Sequence, residues 1–190
     1  MTAAKKKKSG LKLSLTLTAL AICMAGVIAC LNYYGTFQYR NTVSDPPENG
    51  VVRIYRNFTY DDLCNAMTSS GVLINNRTFL RAAKHMKLSE KFQAGRYVFR
   101  PGMSNKAVVR TLAFGWQDPV NVPFNGYIRS MSRFAAILGN KLEADSASFA
   151  AVLTDNDLID SLGFTPETFP GMFIPDTYQI YWTITPKEFV

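Results

Sequence analysis

An uncharged run, "LSLTLTALAICMAGVIACLNYY" from Leu13 to Tyr34, decides what the rest of this chain can be. Its roughly 22 residues, at about 1.5 Å of helical rise each, are long enough to cross a hydrocarbon core about 30 Å thick. Lys5, Lys6, Lys7, Lys8 and Lys12 stand before it. The positive-inside rule therefore predicts a cytoplasmic basic tip over 1–12, a single transmembrane helix over 13–34 and an exported remainder. The chain is therefore expected to be single-pass, with its folded part on the outer side of the membrane. A rival reading takes "VIAC", Val27 to Cys30, as a lipoprotein box with Cys30 acylated. The run is long for a signal sequence and lacks polar residues just after the cysteine, which favours the uncleaved anchor.

Charge and cysteine usage narrow the function. The formal net charge of +7, from 21 Lys and Arg against 14 Asp and Glu, comes mostly from the terminal lysine cluster. That cluster adjoins a membrane segment and is not a basic face of a fold, so no nucleic-acid partner is expected. Cys23 and Cys30 lie within the apolar run, leaving Cys64 alone in the exported part, where no intrachain disulfide can form. The one histidine, His85, sits in a helical pattern with nothing to mark it as a base, and carboxylates are scattered without ligand spacing. Neither a metal nor another cofactor is expected.

Beyond the span, Thr36 to Gly50 is polar with paired prolines, the composition of an extended tether over 35–50. "VVRIY" from Val51 alternates as a strand. Thr59 and Asp62 form a capping-box start for a helix that Gly71 stops. Asn75 or Asn76 caps a second helix with Phe79, Ala82, Ala83 and Met86 on one face. "GRYVF", Gly95 to Phe99, returns as a strand. Strand, helix, helix, strand in this order is found in LysM-type glycan-binding modules, and the module is assigned to 51–115, closed by a short helix from Ser104 to Gly115. What reads as a second copy of the pattern follows: Val120 to Leu153 aligns loosely with Val51 to Ala83, with a strand, a Phe/Asn turn, an amphipathic helix and a second helix in which Phe149 takes the place of Phe79, the alternative being two unrelated amphipathic hairpins of similar pattern. "DLIDSLGF" adds a short helix ended by Gly163. Thr185, Pro186 and Glu188 give a strong helix start with only five residues behind it.

The order of features resembles the bacterial endolytic murein transglycosylase family, formerly labelled aminodeoxychorismate lyase. The residues that carry the resemblance are Ala94-Gly95-x-Tyr97, Met103-Ser104, Leu112-x-x-Gly115 and Pro175-Asp176-Thr177-Tyr178 within "GMFIPDTYQIYW". The resemblance implies an α+β chain with a LysM-like βααβ module and, over 116–190, the front part of a transglycosylase domain. It implies a membrane-anchored enzyme that cuts the β-1,4 bond between MurNAc and GlcNAc of nascent peptidoglycan, leaving 1,6-anhydro ends, with glycan strands, the membrane and cell-wall synthases as partners. It also implies that the membrane is a cell inner membrane, with the folded part facing the periplasm or the cell exterior. The alternative is a non-catalytic, membrane-tethered glycan-binding protein.

Two departures matter. Where the family has Glu before Gly, this chain has Pro170, and the nearest upstream carboxylate is Glu167. The family's catalytic glutamate lies in a later "ASI.E.ET" motif, and none stands before Val190, so the catalytic residue is expected beyond Val190, with Glu167 as a weak substitute. Phe173, Asp176, Tyr178 and Trp182 are the candidate substrate-binding residues, the aromatic rings by stacking on sugar faces and the carboxylate by accepting hydroxyl hydrogen bonds. The competing reading gives Phe173 and Ile180 to a core and Asp176 to its own turn.

Overall fold

The computed structural model describes residues 3–124, 128 and 130–190, with side chains from Thr16 onward. The side chains of the basic tip and part of the turn expected after Phe124 lie outside the described residues. Helix α1 runs from Ala3 to Tyr33, and a π-helical turn, Tyr34–Gln38, continues it. The stretch Thr16–Gln38 is long and apolar enough to cross a membrane. Its side chains are exposed from Thr16 through Tyr34.

The segment after the helix differs from the extended tether expected there. Thr36, Phe37, Asn41 and Thr42 are buried against the module that follows. The Asn105 side chain, fully buried, donates to the Thr36 carbonyl (2.8 Å) and accepts from Asn41 Nδ2 (2.6 Å). Main-chain bonds from Asn41 to Met103 (2.8 Å) and from Val43 to Val72 (3.0 Å) complete the docking. Polar composition suggested a solvated linker. Here the polar groups pair with loop backbone instead, which is the condition for burying them.

The first unit is β1 (Val51–Ile54), α2 (Tyr60–Ser69), α3 (Asn76–His85), β2 (Gly95–Val98) and α4 (Asn105–Phe114). Its helices begin where the sequence put them. Thr59 and Asp62 exchange both capping-box bonds, and Asn75 and Ser104 cap α3 and α4. Gly115, at φ 65°, ends α4 in the left-handed region that glycine adopts without strain. β1 pairs antiparallel with β2, setting Val52 opposite Tyr97 and Arg53 opposite Arg96. The inner face of this ribbon packs Ile54 and Tyr97 against Leu63, Met67, Phe79 and Leu112, all fully buried. Each such aliphatic side chain removed from water contributes about 1.5–3 kcal/mol before entropy is counted. Cys64 is half-buried on α2, packed against this core, and burial pushes its thiol pKa up. His85 meets the Phe37 ring edge-on at 5.3 Å.

The second unit repeats the plan with β3 (Val120–Pro123), α5 (Met131–Gly139), α6 (Ser146–Leu153), α7 (Asn156–Ser161) and β4 (Thr177–Ile180), then the single turn α8 (Pro186–Phe189). β3 pairs antiparallel with β4. Both units are thus a two-stranded ribbon backed by helices, a mixed helix and strand architecture. Phe79 and Phe149, the matched positions, are both fully buried.

Candidate functional site

Residues Pro175 to Tyr178 lead the chain into β4. Asp176 places its carbonyl to accept from Phe124 N (2.8 Å), while its own Oδ1 accepts from Thr177 N (2.6 Å). Tyr178, opposite Val122, donates its hydroxyl hydrogen to the Ile174 carbonyl (2.9 Å) and lays its ring 4.9 Å from Phe124. Proline fixes the entry, the aspartate closes the turn and the tyrosine ties the loop back on itself. The motif therefore builds a rigid rim.

Behind that rim lies an apolar cleft of about 250 Å³ lined by Phe124, Met172, Phe173, Tyr178, Ile180, Ile184 and Phe189. Phe173 is half-buried and stacks on Phe189 (5.9 Å, 10° between planes) while meeting Phe134 at 4.9 Å. α8 delivers Phe189 to this cluster, and the Thr185–Glu188 capping box fixes the start of that turn. Packing of one aromatic side chain thus holds a turn too short to stand alone.

The four candidate binding residues separate into two places. Phe173 and Tyr178 line the apolar cleft and Asp176 stands exposed at its rim. Trp182 is elsewhere, 4% exposed at the junction between the two units. Its ring meets Tyr55 of the first unit, and its carbonyl accepts from Glu143 N (2.9 Å). Beside it Arg56 reaches across to the Glu143 carboxylate (3.2 Å) and to the Thr183 carbonyl. Gln117 and Thr183 add a side-chain pair at 3.3 Å.

Glu167 lies exposed in a turn closed by Thr165 and Thr168. A hydrogen bond from the Thr165 side chain holds its carboxyl below the usual carboxylate range. A general acid at neutral pH needs the opposite shift. Asp62, Asp145 and Glu188 are lowered in the same way, each by the side chain it caps or is capped by. Among the described residues no cluster of His, Cys, Asp or Glu is arranged to hold a metal ion.

Two further features were not anticipated. A polar groove of about 380 Å³ opens at the junction, lined by Arg53, Arg96, Lys141, Asn121, Asn140 and the edge of Trp182. Strand register creates it, and register is invisible in a single strand's sequence. Phe114 and Trp116 stack at 5.2 Å, each 60% exposed, flanking the glycine cap of α4. The "AFGW" string was the available signal for that second feature.

No curated relative matches the chain. The crystal structure of a YceG-like protein from Listeria monocytogenes is similar at 18% identity and a TM-score of 0.40, over 68% of this chain and 47% of that one. The chain thus spans about half the length of that protein. The model of the YceG-like family matches residues 52–190, from the first strand through the Pro-Asp-Thr-Tyr rim to the last residue. Both ribbon units and the apolar cleft between β4 and α8 fall within that match, and the chain belongs to the YceG-like family.

Proposed function

We propose that these residues are the membrane-anchored front part of an endolytic peptidoglycan lytic transglycosylase. The observation that carries this reading is the family match over 52–190, since the family is that of the murein transglycosylases. In this reading α1 is a single-pass anchor in the inner membrane with its N-terminus in the cytoplasm, 51–115 is a LysM-like glycan-binding module and 116–190 begins the catalytic domain. The substrate is the glycan strand, cut between MurNAc and GlcNAc to leave a 1,6-anhydro end, and cell-wall synthases are the candidate protein partners.

The chemistry needs one carboxyl group. It protonates the leaving glycosidic oxygen, then as carboxylate takes the proton of the muramic 6-hydroxyl that closes the anhydro ring. We place that group beyond Val190. The role left to residues of this chain is to hold the strand: Phe173 and Tyr178 offer apolar ring faces at the cleft, and Asp176 offers a free carboxylate oxygen to sugar hydroxyls. The exposed Phe114–Trp116 stack supplies a second flat surface of the kind pyranose rings pack on.

Incubation of the 190-residue chain with purified sacculi tests the proposal. Retention on sacculi with no 1,6-anhydro muropeptides by mass spectrometry is the expected result. Absence of retention would sink the glycan reading, and anhydro product abolished by Glu167→Gln would show the acid to be inside these residues.

A further inference from the structure

Arg53 and Arg96 occupy directly opposed positions on β1 and β2, so their side chains leave the ribbon on the same outward face. Like charges paired across an antiparallel ladder destabilise it. Little in the fold neutralises them. The carboxylate near Arg53, that of Glu48, is 4.0 Å away and both groups are largely exposed. Among the described residues the Arg96 side chain donates to the Pro119 carbonyl at 3.5 Å, and the neighbouring Asp118 carboxylate accepts from Val98 N (3.1 Å) without an ion pair to Arg96. A third cation, Lys141, comes from the loop after α5 in the other unit and has no ion-pair partner among the described residues. The amides of Asn121 and Asn140 add hydrogen-bond donors, and among the described residues no acidic side chain lines the groove. Three cations and two amides from two units thus line one opening.

We infer that this groove binds an oxyanion, the free carboxylate of a peptidoglycan stem peptide, while the glycan lies along the neighbouring surface. This rests on the glycan reading above. A guanidinium fork matches the two oxygens of a carboxylate or a phosphate, and an ammonium adds a point charge from the facing side. Phosphate shares the recognition chemistry, so the ligand's source is decided by experiment. Because Lys141 and the arginines sit on different units, an anion between them also bridges the junction that Trp182 and Tyr55 close from behind.

The test is calorimetric titration of the full chain in detergent micelles with three probes: a disaccharide bearing a stem peptide with free carboxylates, the same disaccharide-peptide with those carboxylates amidated, and inorganic phosphate. Arg53→Gln, Arg96→Gln and Lys141→Met are each expected to weaken binding of the free-carboxylate probe about tenfold or more, the ratio that loss of one charged hydrogen bond produces. Arg53→Lys is expected to bind between the wild type and Arg53→Gln, keeping the charge but losing the paired donors of the fork, and raised salt is expected to weaken the wild type, which needs no variant to fold. Equal binding of the free-carboxylate probe by wild type and the charge-removing variants would overturn the inference while leaving the glycan reading intact. Binding of phosphate alone, lost in the variants, would keep the oxyanion groove, reassign its ligand to a phosphate and count against the glycan reading. Binding of neither anion would overturn the groove altogether.

Discussion

The indole ring of Trp182 meets the ring of Tyr55 edge-on, with centroids 4.9 Å apart and planes at 78°. One ring belongs to the end of the second unit and the other follows the first strand of the first unit, so this contact joins the two. Trp182→Ala is expected to lower stability by about 3–5 kcal/mol, the range for truncating a large buried aromatic. Urea unfolding followed by circular dichroism is expected to show one transition for the wild type and two for the variant. An unchanged midpoint would mean that the junction contributes nothing to folding.

The docked segment behind α1 gives a second prediction. Asn105→Ala removes both the donor to the Thr36 carbonyl and the acceptor for the Asn41 amide. Leaving buried polar groups unpaired costs about 1–3 kcal/mol. Hydrogen exchange should accelerate at Asn41, Val43 and Ile74, whose amide hydrogens close this interface, while β2 and α2 keep their protection. Uniform exchange across the unit would instead mean global unfolding.

Acid should loosen the helix starts. Hydrogen bonds from the Thr59 side chain and main chain hold Asp62 below its ordinary value of 3.8, and Glu188 is held by Thr185 below 4.5. The unfolded chain then binds protons more readily than the folded one as pH falls. The contribution is present above the ordinary values and is lost as pH drops through the lowered, folded ones. Thermal melting from neutral pH down to about pH 2 should show this decline, shallower in Asp62→Asn. An identical slope in that variant would show that the cap carries no pH-dependent stability.

Tyr97 makes the reverse case at the alkaline end. Burial pushes its phenol from 10.0 up to about 12, and its hydroxyl donates to the Gln93 carbonyl at 2.8 Å. The unfolded chain loses this proton first, so the stability is complete below pH 10.0 and falls as pH rises toward about 12. Tyr97→Phe should cost about 1 kcal/mol at neutral pH and flatten the alkaline decline. Ultraviolet titration of phenolate absorbance reads the ionisation directly.

Legibility followed the range of the interactions. Thr59 with Asp62, Asn75, Ser104 and Thr185 with Glu188 are local devices, each complete within a few residues, and every helix they start was readable from the sequence. The turn role of Asp176 was readable for the same reason. What stayed hidden depends on partners far along the chain. Asn41 is polar and looks like linker until Asn105, 64 positions later, satisfies it in a buried place. Trp182 reads as a sugar platform in the sequence, which says nothing of its edge-on contact with Tyr55 at the junction. Arg53 and Arg96 are two unremarked charges until the strand register sets them side by side.

The burial of Thr36 and Phe37 directly after α1 has a mechanical consequence. A polymer leash would let the units that follow roam through a volume set by its contour length. Here the helix feeds into the fold through a packed π-helical turn, with Phe37 wedged between Tyr33 and His85. If α1 is the anchor proposed above, its tilt and rotation are passed to the first unit through this packed turn and are not absorbed by a flexible leash.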